Sequence, residues 1–459
     1  MTRERVVRVA AGQGFWGDEL DAPVRQVEGG PIDYLVLDYL AEVTMSILRK
    51  QRAKDPGAGY ARDFVALMER IFPACVSRGI RVVSNAGGVN PRGCAQALVD
   101  AGRRAGAAGK STVALVTGDD LMDRLGRLVD DGHDLRHMES GRPLADVLDR
   151  VQSANVYLGG APIVDALGRG ASVVLTGRAV DAALTYAPLV HELGWSFDDY
   201  DRLAAGVVAG HLNECGAQST GGNCSAEWWA IPHLADVGFP IVEAGSDGTF
   251  VLTKHQGSGG VVNRASVTEQ LVYEIGDPAA YMGPDVVADF TTVELEDLGD
   301  DRVRVRGATG RPPPQRLKVS VAYSAGWKSV GTLTYAWPDA AAKARAASCV
   351  LRERLDRLGL AFAETRVELV GWDSTHGALA GEPPADIPEV QLRVAVRADD
   401  RAPVERFTRE IAPLVLTGPP SVTGYATGRP RVDEIVAFWP ALIDRDAVEP
   451  YVEVEMLRI

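Results

Sequence analysis

The chain has 459 residues, 46% of them hydrophobic and 24% charged, which is enough to bury more than one core of ordinary size. Its net charge of −14 argues against a nucleic-acid scaffold and against an anionic membrane surface as partner, since both require a basic face. The five cysteines form no CxxC pair, so a disulfide framework is not expected and a reducing compartment fits best. No apolar run approaches the roughly 20 residues that span a bilayer. The first residues read as a short strand and not as a secretion signal, so a cytoplasmic location without membrane partners is expected.

From the N-terminus, short apolar runs appear at Val6–Ala10, Tyr34–Leu37, Ile80–Val83, Val113–Val116, Val156–Leu158 and Val173–Leu175. Helical stretches such as Ala61–Ile71 and Ala95–Arg104 lie between them, with apolar residues spaced by three and four. This alternation predicts an α/β fold: a parallel-dominated sheet with helices on both faces. Open parallel sheets bind ligands beyond the carboxyl ends of their strands, so the residues that follow each run carry the functional argument.

The first run leads into Gly12-Gln13-Gly14-Phe15-Trp16-Gly17, a formal GxGxxG, and Asp38 closes the second about twenty residues on. One reading is a dinucleotide site with Asp38 on a ribose. The other is a tight turn whose Phe15 and Trp16 wall an aromatic cleft, favoured because bulk there crowds a pyrophosphate. The third run ends in Ser84-Asn85-Ala86-Gly87-Gly88-Val89-Asn90-Pro91. Asn90 suits a helix cap and Pro91 the first turn. Asn85, Gly87 and Gly88 then read either as exposed backbone donors for an oxyanion or as a well-capped turn.

The turns Gly118-Asp119-Asp120 and Tyr157-Leu158-Gly159-Gly160 complete the rim, and the sixth run ends in Thr176-Gly177-Arg178-Ala179-Val180-Asp181. Arg178 in a buried sheet end needs an anion, either from a ligand or from Asp181. His133 and His137 have helical spacing but follow Asp130-Asp131-Gly132, a surface turn.

Beyond Trp195 the densest run of reactive side chains is His211-Leu212-Asn213-Glu214-Cys215, continued to Asn223 and Cys224. His211 and Glu214 share a helix face at i, i+3, so the carboxylate can orient the imidazole as an acid/base, although a satisfied core histidine is the competing reading. Cys215 reads best as a buried structural thiol, and HxxE without further ligands predicts no metal. A hairpin is expected to turn at Ser246-Asp247-Gly248, and a helix to open at Ser266 with Glu269 completing a capping box. From residue 314 the order strand, helix, strand, strand, helix, strand predicts a smaller α+β lobe, with a ferredoxin-like unit as one reading, giving domains 1–313 and 314–459.

The phrases SNAGGVNPRGCAQAL, LGGAPIVDAL, VVLTGRAVDAALTYAPLVHELGW, LAAGVVAGHLNECGAQSTGGN and GFPIVEAGSDGTFVLTK follow one another in order. Together with EQLVYEIGDPAAYMGPDVVADF they resemble the N-terminal domain of the acyclic terpene utilisation (AtuA-like) family over about Val6 to Lys318. The resemblance implies a role in breakdown of branched terpenoid compounds, alongside acyl-CoA-processing enzymes, but carries over no catalytic residue set.

The combined expectation is a catabolic enzyme acting on a branched or isoprenoid acyl-CoA or carboxylate by lyase, hydratase or hydrolase chemistry. Asn85, Gly87 and Gly88 would hold an oxyanion, Arg178 a carboxylate, and His211 with Glu214 would move the proton. Gly12, Gly14, Phe15, Trp16, Asp38, Asn90, Asp181 and Asn223 would line the substrate. No cofactor is required beyond CoA as part of the substrate, and a homo-oligomer that associates with acyl-CoA-processing enzymes is expected. The alternatives are a non-catalytic acyl-CoA- or nucleotide-binding subunit and a dinucleotide-dependent oxidoreductase.

Overall fold

The computed structural model describes residues 5–385, 387–424 and 428–459. The chain divides into two compact units, Met1–Ala322 with Phe438–Ile459, and Tyr323–Ala437. The stretch expected to form one lobe from residue 314 therefore gives both its ends to the first unit.

The first unit is built on a mixed ten-stranded sheet. Its centre is parallel: β1 (Val7–Gln13), β2 (Tyr34–Leu37), β3 (Arg81–Ser84), β4 (Thr112–Thr117) and β6 (Val173–Thr176) lie in the order β1-β2-β3-β6-β4. The runs VVLT and YLVL are fully buried, as strands covered on both faces must be. Leu35, Leu37, Val82, Leu115 and Leu175 pack with helices Ala22–Gly29, Arg62–Arg78 and Pro91–Arg104 in one core. On the opposite face β1 and β2 meet the helix Ala183–Leu193.

Antiparallel strands extend this centre. β7 (Ile241–Ala244) and β8 (Phe250–Thr253) form the expected hairpin, with Gly248 at φ 89°, and β7 pairs with β1. β11 (Glu294–Gly299) and β12 (Arg302–Arg306) continue that side. At the far edge β19 (Glu453–Arg458) pairs with β4. A separate three-stranded sheet holds β9 (Tyr281–Met282), β10 (Val287–Asp289) and β13 (Thr309–Arg311).

Two local expectations are corrected. The fifth strand, β5 (Val151–Val156), leaves the parallel sheet and pairs with β14 (Arg316–Ala336). The helix Arg264–Leu271 is capped by Asn263, not Ser266, because the Asn263 carboxamide accepts the Ser266 amide. Glu269 is then free to accept the amides of Ser225 and Ala226 at 2.7 and 2.8 Å.

In the second unit β14, the helix Ala340–Arg357, β15 (Glu364–Val370), β16 (Glu389–Ala398) and the helix Arg401–Phe407 lead to β18 (Asp433–Asp444). The order β15-β16-β14, with β18 and the short β17 (Val422–Thr423) also on β14, is the ferredoxin-type α+β arrangement. Leu333, Tyr335, Leu351, Leu392 and Phe407 share its core. Among the described residues no helix is long and apolar enough to cross a membrane.

Candidate active site at the strand ends

β2, β3, β6 and β4 lie side by side, so the turns that follow them form one edge. Asp38, Asn85, Arg178 and Asp119 come from four different strand ends, and each is less than a tenth exposed. Asn85 Nδ2 donates to Asp38 Oδ1 at 2.6 Å, while Asn85 Oδ1 accepts the Tyr39 amide at 2.7 Å. Asp38 Oδ1 also accepts the Leu40 amide. Arg178 Nη1 donates to the Leu40 carbonyl and lies 2.9 Å from Asp181 Oδ1. The guanidinium stands over the Tyr157 ring, 4.4 Å from its centre. The backbone N–H of Arg178 donates to Asp119 Oδ2 at 2.8 Å, and Asn155 Nδ2 donates to the same oxygen at 2.9 Å. A side chain at Gly177 would collide with that carboxylate, so the turn needs glycine there. The Tyr157 hydroxyl donates to Glu42, and Lys318 Nζ lies 3.8 Å from the same carboxylate.

His211 and Glu214 end the helix Tyr200–Glu214. His211 is 2% exposed, with Nδ1 3.1 Å from Glu214 Oε1 and Nε2 2.8 Å from the Gln270 carbonyl. A carbonyl only accepts, so Nε2 carries a proton. Burial works against a charged ring, yet the bond to Glu214 and its charge outweigh it and raise the pKa. His211 is thus tied at both nitrogens and fixes the position of Glu214.

The electrostatics centre on Arg178. Burial pushes the Asp38 carboxyl up to about 6, against the pull of Arg178 and Asn85, and Glu214 adds to the rise. Burial holds Asp181 well above the ordinary range, and the charges of Asp38, Glu214 and Glu42 push it further, with Arg178 opposing. Arg178 itself stays charged: burial disfavours the cation, but Asp181, Tyr157, Asp38 and Glu42 outweigh it. Burial also tends to raise Glu42, but the Tyr157 hydroxyl and the nearby cations bring it below its usual range. The Asp181 side chain is 35% exposed, with Oδ1 enclosed.

Two atoms at the centre lack a hydrogen-bond partner: Arg178 Nε and Asp181 Oδ1, the latter close to Nη1 but misaligned with it. A buried donor left without an acceptor, as Arg178 Nε is, costs about 1–3 kcal/mol, a penalty that an incoming polar group would relieve.

The other expected site residues lie around or away from this cluster. The loop Ser84–Asn90 is buried and not exposed. Gly87 N donates to the Thr176 carbonyl and Gly88 N to the Asn85 carbonyl, so neither amide is open to an oxyanion. Asn90 caps its helix through Gly93 N and holds the Ala58 carbonyl. Gly12 is hemmed in by Leu35 and Leu37, and Gly14 by the backbone of Cys215 and Gly216. Asp18 takes the Gly14 amide at 2.9 Å, where a phosphate would have to sit. Trp16 is part-buried, bonded to Asp63, while Phe15 is 60% exposed, so they do not wall one cleft. Asn223 is an exposed residue at φ 53°, near Gln218. The Cys215 thiol, pushed up to about 12 by burial and then by Glu214, stays protonated.

Glu42, Lys318 and Tyr281 were not read from the sequence. Glu42 follows Asp38 by four residues and opens the helix Glu42–Lys54, so it had a signal in its position after a strand. Tyr281, 6.0 Å from the His211 ring, arrives from a separate sheet and had none. Among the described residues no group of three or more His, Cys, Asp or Glu is placed to hold a metal ion.

No curated protein and no solved structure matches the chain. A model of the acyclic terpene utilisation family protein AtuA matches residues 7–454, extending the resemblance of the first two thirds through the second unit. The chain belongs to the acyclic terpene utilisation family AtuA.

Proposed function

We propose that the strand-end cluster is a general acid/base centre for a branched or isoprenoid acyl thioester or carboxylic acid, of hydratase or lyase type. Hydrolysis through a thiol is disfavoured because Cys215 stays protonated. Four carboxyl groups, Asp38, Glu42, Asp181 and Glu214, stand against Arg178, Lys318 and His211. A further anion is therefore poorly accommodated beside Arg178, and the reacting end is a neutral hydroxyl or carbonyl. Asp181 exchanges its proton with the substrate, Arg178 stabilises whichever of Asp38 and Asp181 is ionised, and Asn85 positions Asp38. His211 positions Glu214 and does not itself turn over a proton. In the dehydration direction one carboxylate removes the proton from the carbon next to the carbonyl, and a protonated carboxyl donates to the departing hydroxyl, releasing water.

The observation that carries this reading is two enclosed atoms without a hydrogen bond, Arg178 Nε and the ion-paired Asp181 Oδ1, beside carboxyls whose protonation burial has raised. The test is turnover of a panel of branched 3-hydroxyacyl and 2,3-unsaturated acyl thioesters and free acids. Asp181→Asn is expected to lower kcat by roughly 10²–10⁴-fold when assayed well below its own unfolding midpoint, beyond what its loss of the Arg178 pair costs in stability. Full turnover by that variant would remove Asp181 from the chemistry. The second reading, a binding subunit, is favoured by Asn85 and the loop amides having internal partners. It predicts saturable binding of the same panel without turnover.

A further inference from the structure

His133 and His137 line a cavity of about 500 Å³ with Arg136, Arg316 and the end of β18. That volume lies within the range of about 300–1,000 Å³ typical of small-molecule sites. Part of its wall is apolar, from Leu135, Met138, Leu442 and Ile443. Leu135 is held at φ 44°, in the left-handed region that a branched side chain seldom adopts. Trp439 Nε1 fixes that turn by donating to the Leu135 carbonyl at 3.0 Å.

Of the two arginines on the wall, Arg136 is paired and Arg316 is not. Asp134 Oδ2 accepts from Arg136 Nη2 at 2.7 Å, and Asp444 Oδ2 lies 3.7 Å from His133 Nδ1. His137 Nδ1 accepts the amides of Glu139 and Ser140 at 3.2 and 3.3 Å, and its ring stands edge-on to Trp439. Arg316 has no ion pair or side-chain hydrogen bond among the described residues. Its planar fork matches a carboxylate or a phosphate. It stands exposed beside the apolar part of the wall, without an ion-pair partner among the described residues.

We infer that this cavity is a second ligand site, distinct from the strand-end cluster, for a small amphipathic anion. The ligand has a hydrocarbon chain, held by Leu135, Met138, Leu442 and Ile443, and ends in a carboxylate or phosphate on Arg316.

The test is isothermal titration of the full chain with octanoate, octyl phosphate, acetate and octanol. Saturable binding of octanoate, octyl phosphate or both is expected, and the tighter of the two identifies the headgroup. Acetate and octanol should bind at least tenfold more weakly, since each supplies only half of the complement. Arg316→Ala should weaken the anionic probe about 10- to 100-fold, as loss of a charged hydrogen bond does. Met138→Glu, at a position 55% exposed, both removes apolar wall and adds a negative charge, so it should weaken the anionic probe more than octanol. Asp181→Asn should bind like the parent. The inference is overturned if neither anionic probe saturates or if Arg316→Ala binds unchanged. It is also overturned if Asp181→Asn loses binding that Arg316→Ala keeps, since the ligand then occupies the strand-end cluster.

Discussion

A guanidinium 3% exposed at a strand end is stable only because of what surrounds it. Arg178 meets Asp181, the Leu40 carbonyl and the Tyr157 ring, and its charge lowers both Asp38 and Asp181. Removing it would leave two buried carboxyls facing Glu42 and Glu214 with no central cation. Breaking a buried pair from one side costs about 3–5 kcal/mol, well above the 0–1 kcal/mol of a surface pair. Arg178→Ala is accordingly expected to lower the unfolding free energy by that amount in urea titrations. Arg104→Ala, which breaks an exposed pair with Glu69, should change it by less than about 1 kcal/mol. Equal losses in the two variants would mean that Arg178 is not the keystone of the cluster. The sequence made Arg178 conspicuous, since an arginine after a buried run demands an anion. It could not say that Asp181 and the Leu40 carbonyl already meet that demand. His211 is similar: its spacing to Glu214 was visible, but the Gln270 carbonyl on its other nitrogen lies 59 positions away.

At the scale of elements, local patterns were legible and partners were not. The buried runs at β1, β2, β3, β4 and β6 and the Asn90 cap follow from patterning within a few residues. β5 reads Val-Gln-Ser-Ala-Asn-Val, half polar and ending where the expected run Val156–Leu158 begins, and it pairs with β14, a partner set by long-range topology. The glycines after β1 make the same point. GxGxxG was read as a cradle or as a tight turn, and the contacts make it packing: a Cβ on Gly14 would lie 2.9 Å from the Cys215 carbonyl carbon. Backbone cannot yield as a flexible side chain does, so Gly14→Ala should destabilise by about 1–3 kcal/mol. The same protein should show no saturable NADH binding by fluorescence. An unaltered unfolding midpoint, or NADH binding that the variant abolishes, would restore the dinucleotide reading.

For the whole molecule, the buried acids share one direction. Burial raises Asp38 to about 6 and Asp119 to about 7, and it also raises Asp181 and Asp285. A carboxyl whose folded pKa exceeds its unfolded value binds its proton more tightly in the folded state. Its contribution to stability is complete below about pH 4 and is lost as pH rises through the folded pKa. His211, also raised, loses its contribution in the same direction. The lowered carboxyls, Glu42, Asp55, Glu69 and Asp289, are ionised in both states above about pH 5.5 and add no slope there, while His191 and His255, lowered by burial, oppose the decline only up to about pH 7. The growing negative charge of an already acidic chain adds self-repulsion as pH rises. Urea midpoints should therefore fall from pH 5.5 through 7 to 8.5. Asp119 isolates the cause. Its Oδ2 accepts from Arg178 N and Asn155 Nδ2, a role that one carboxamide oxygen can fill without titrating. Asp119→Asn should keep the turn at Arg178 and flatten the decline between pH 5.5 and 8.5. A midpoint that rises with pH, or a variant with the parent's full slope, would show that these carboxyls are not what ties stability to pH.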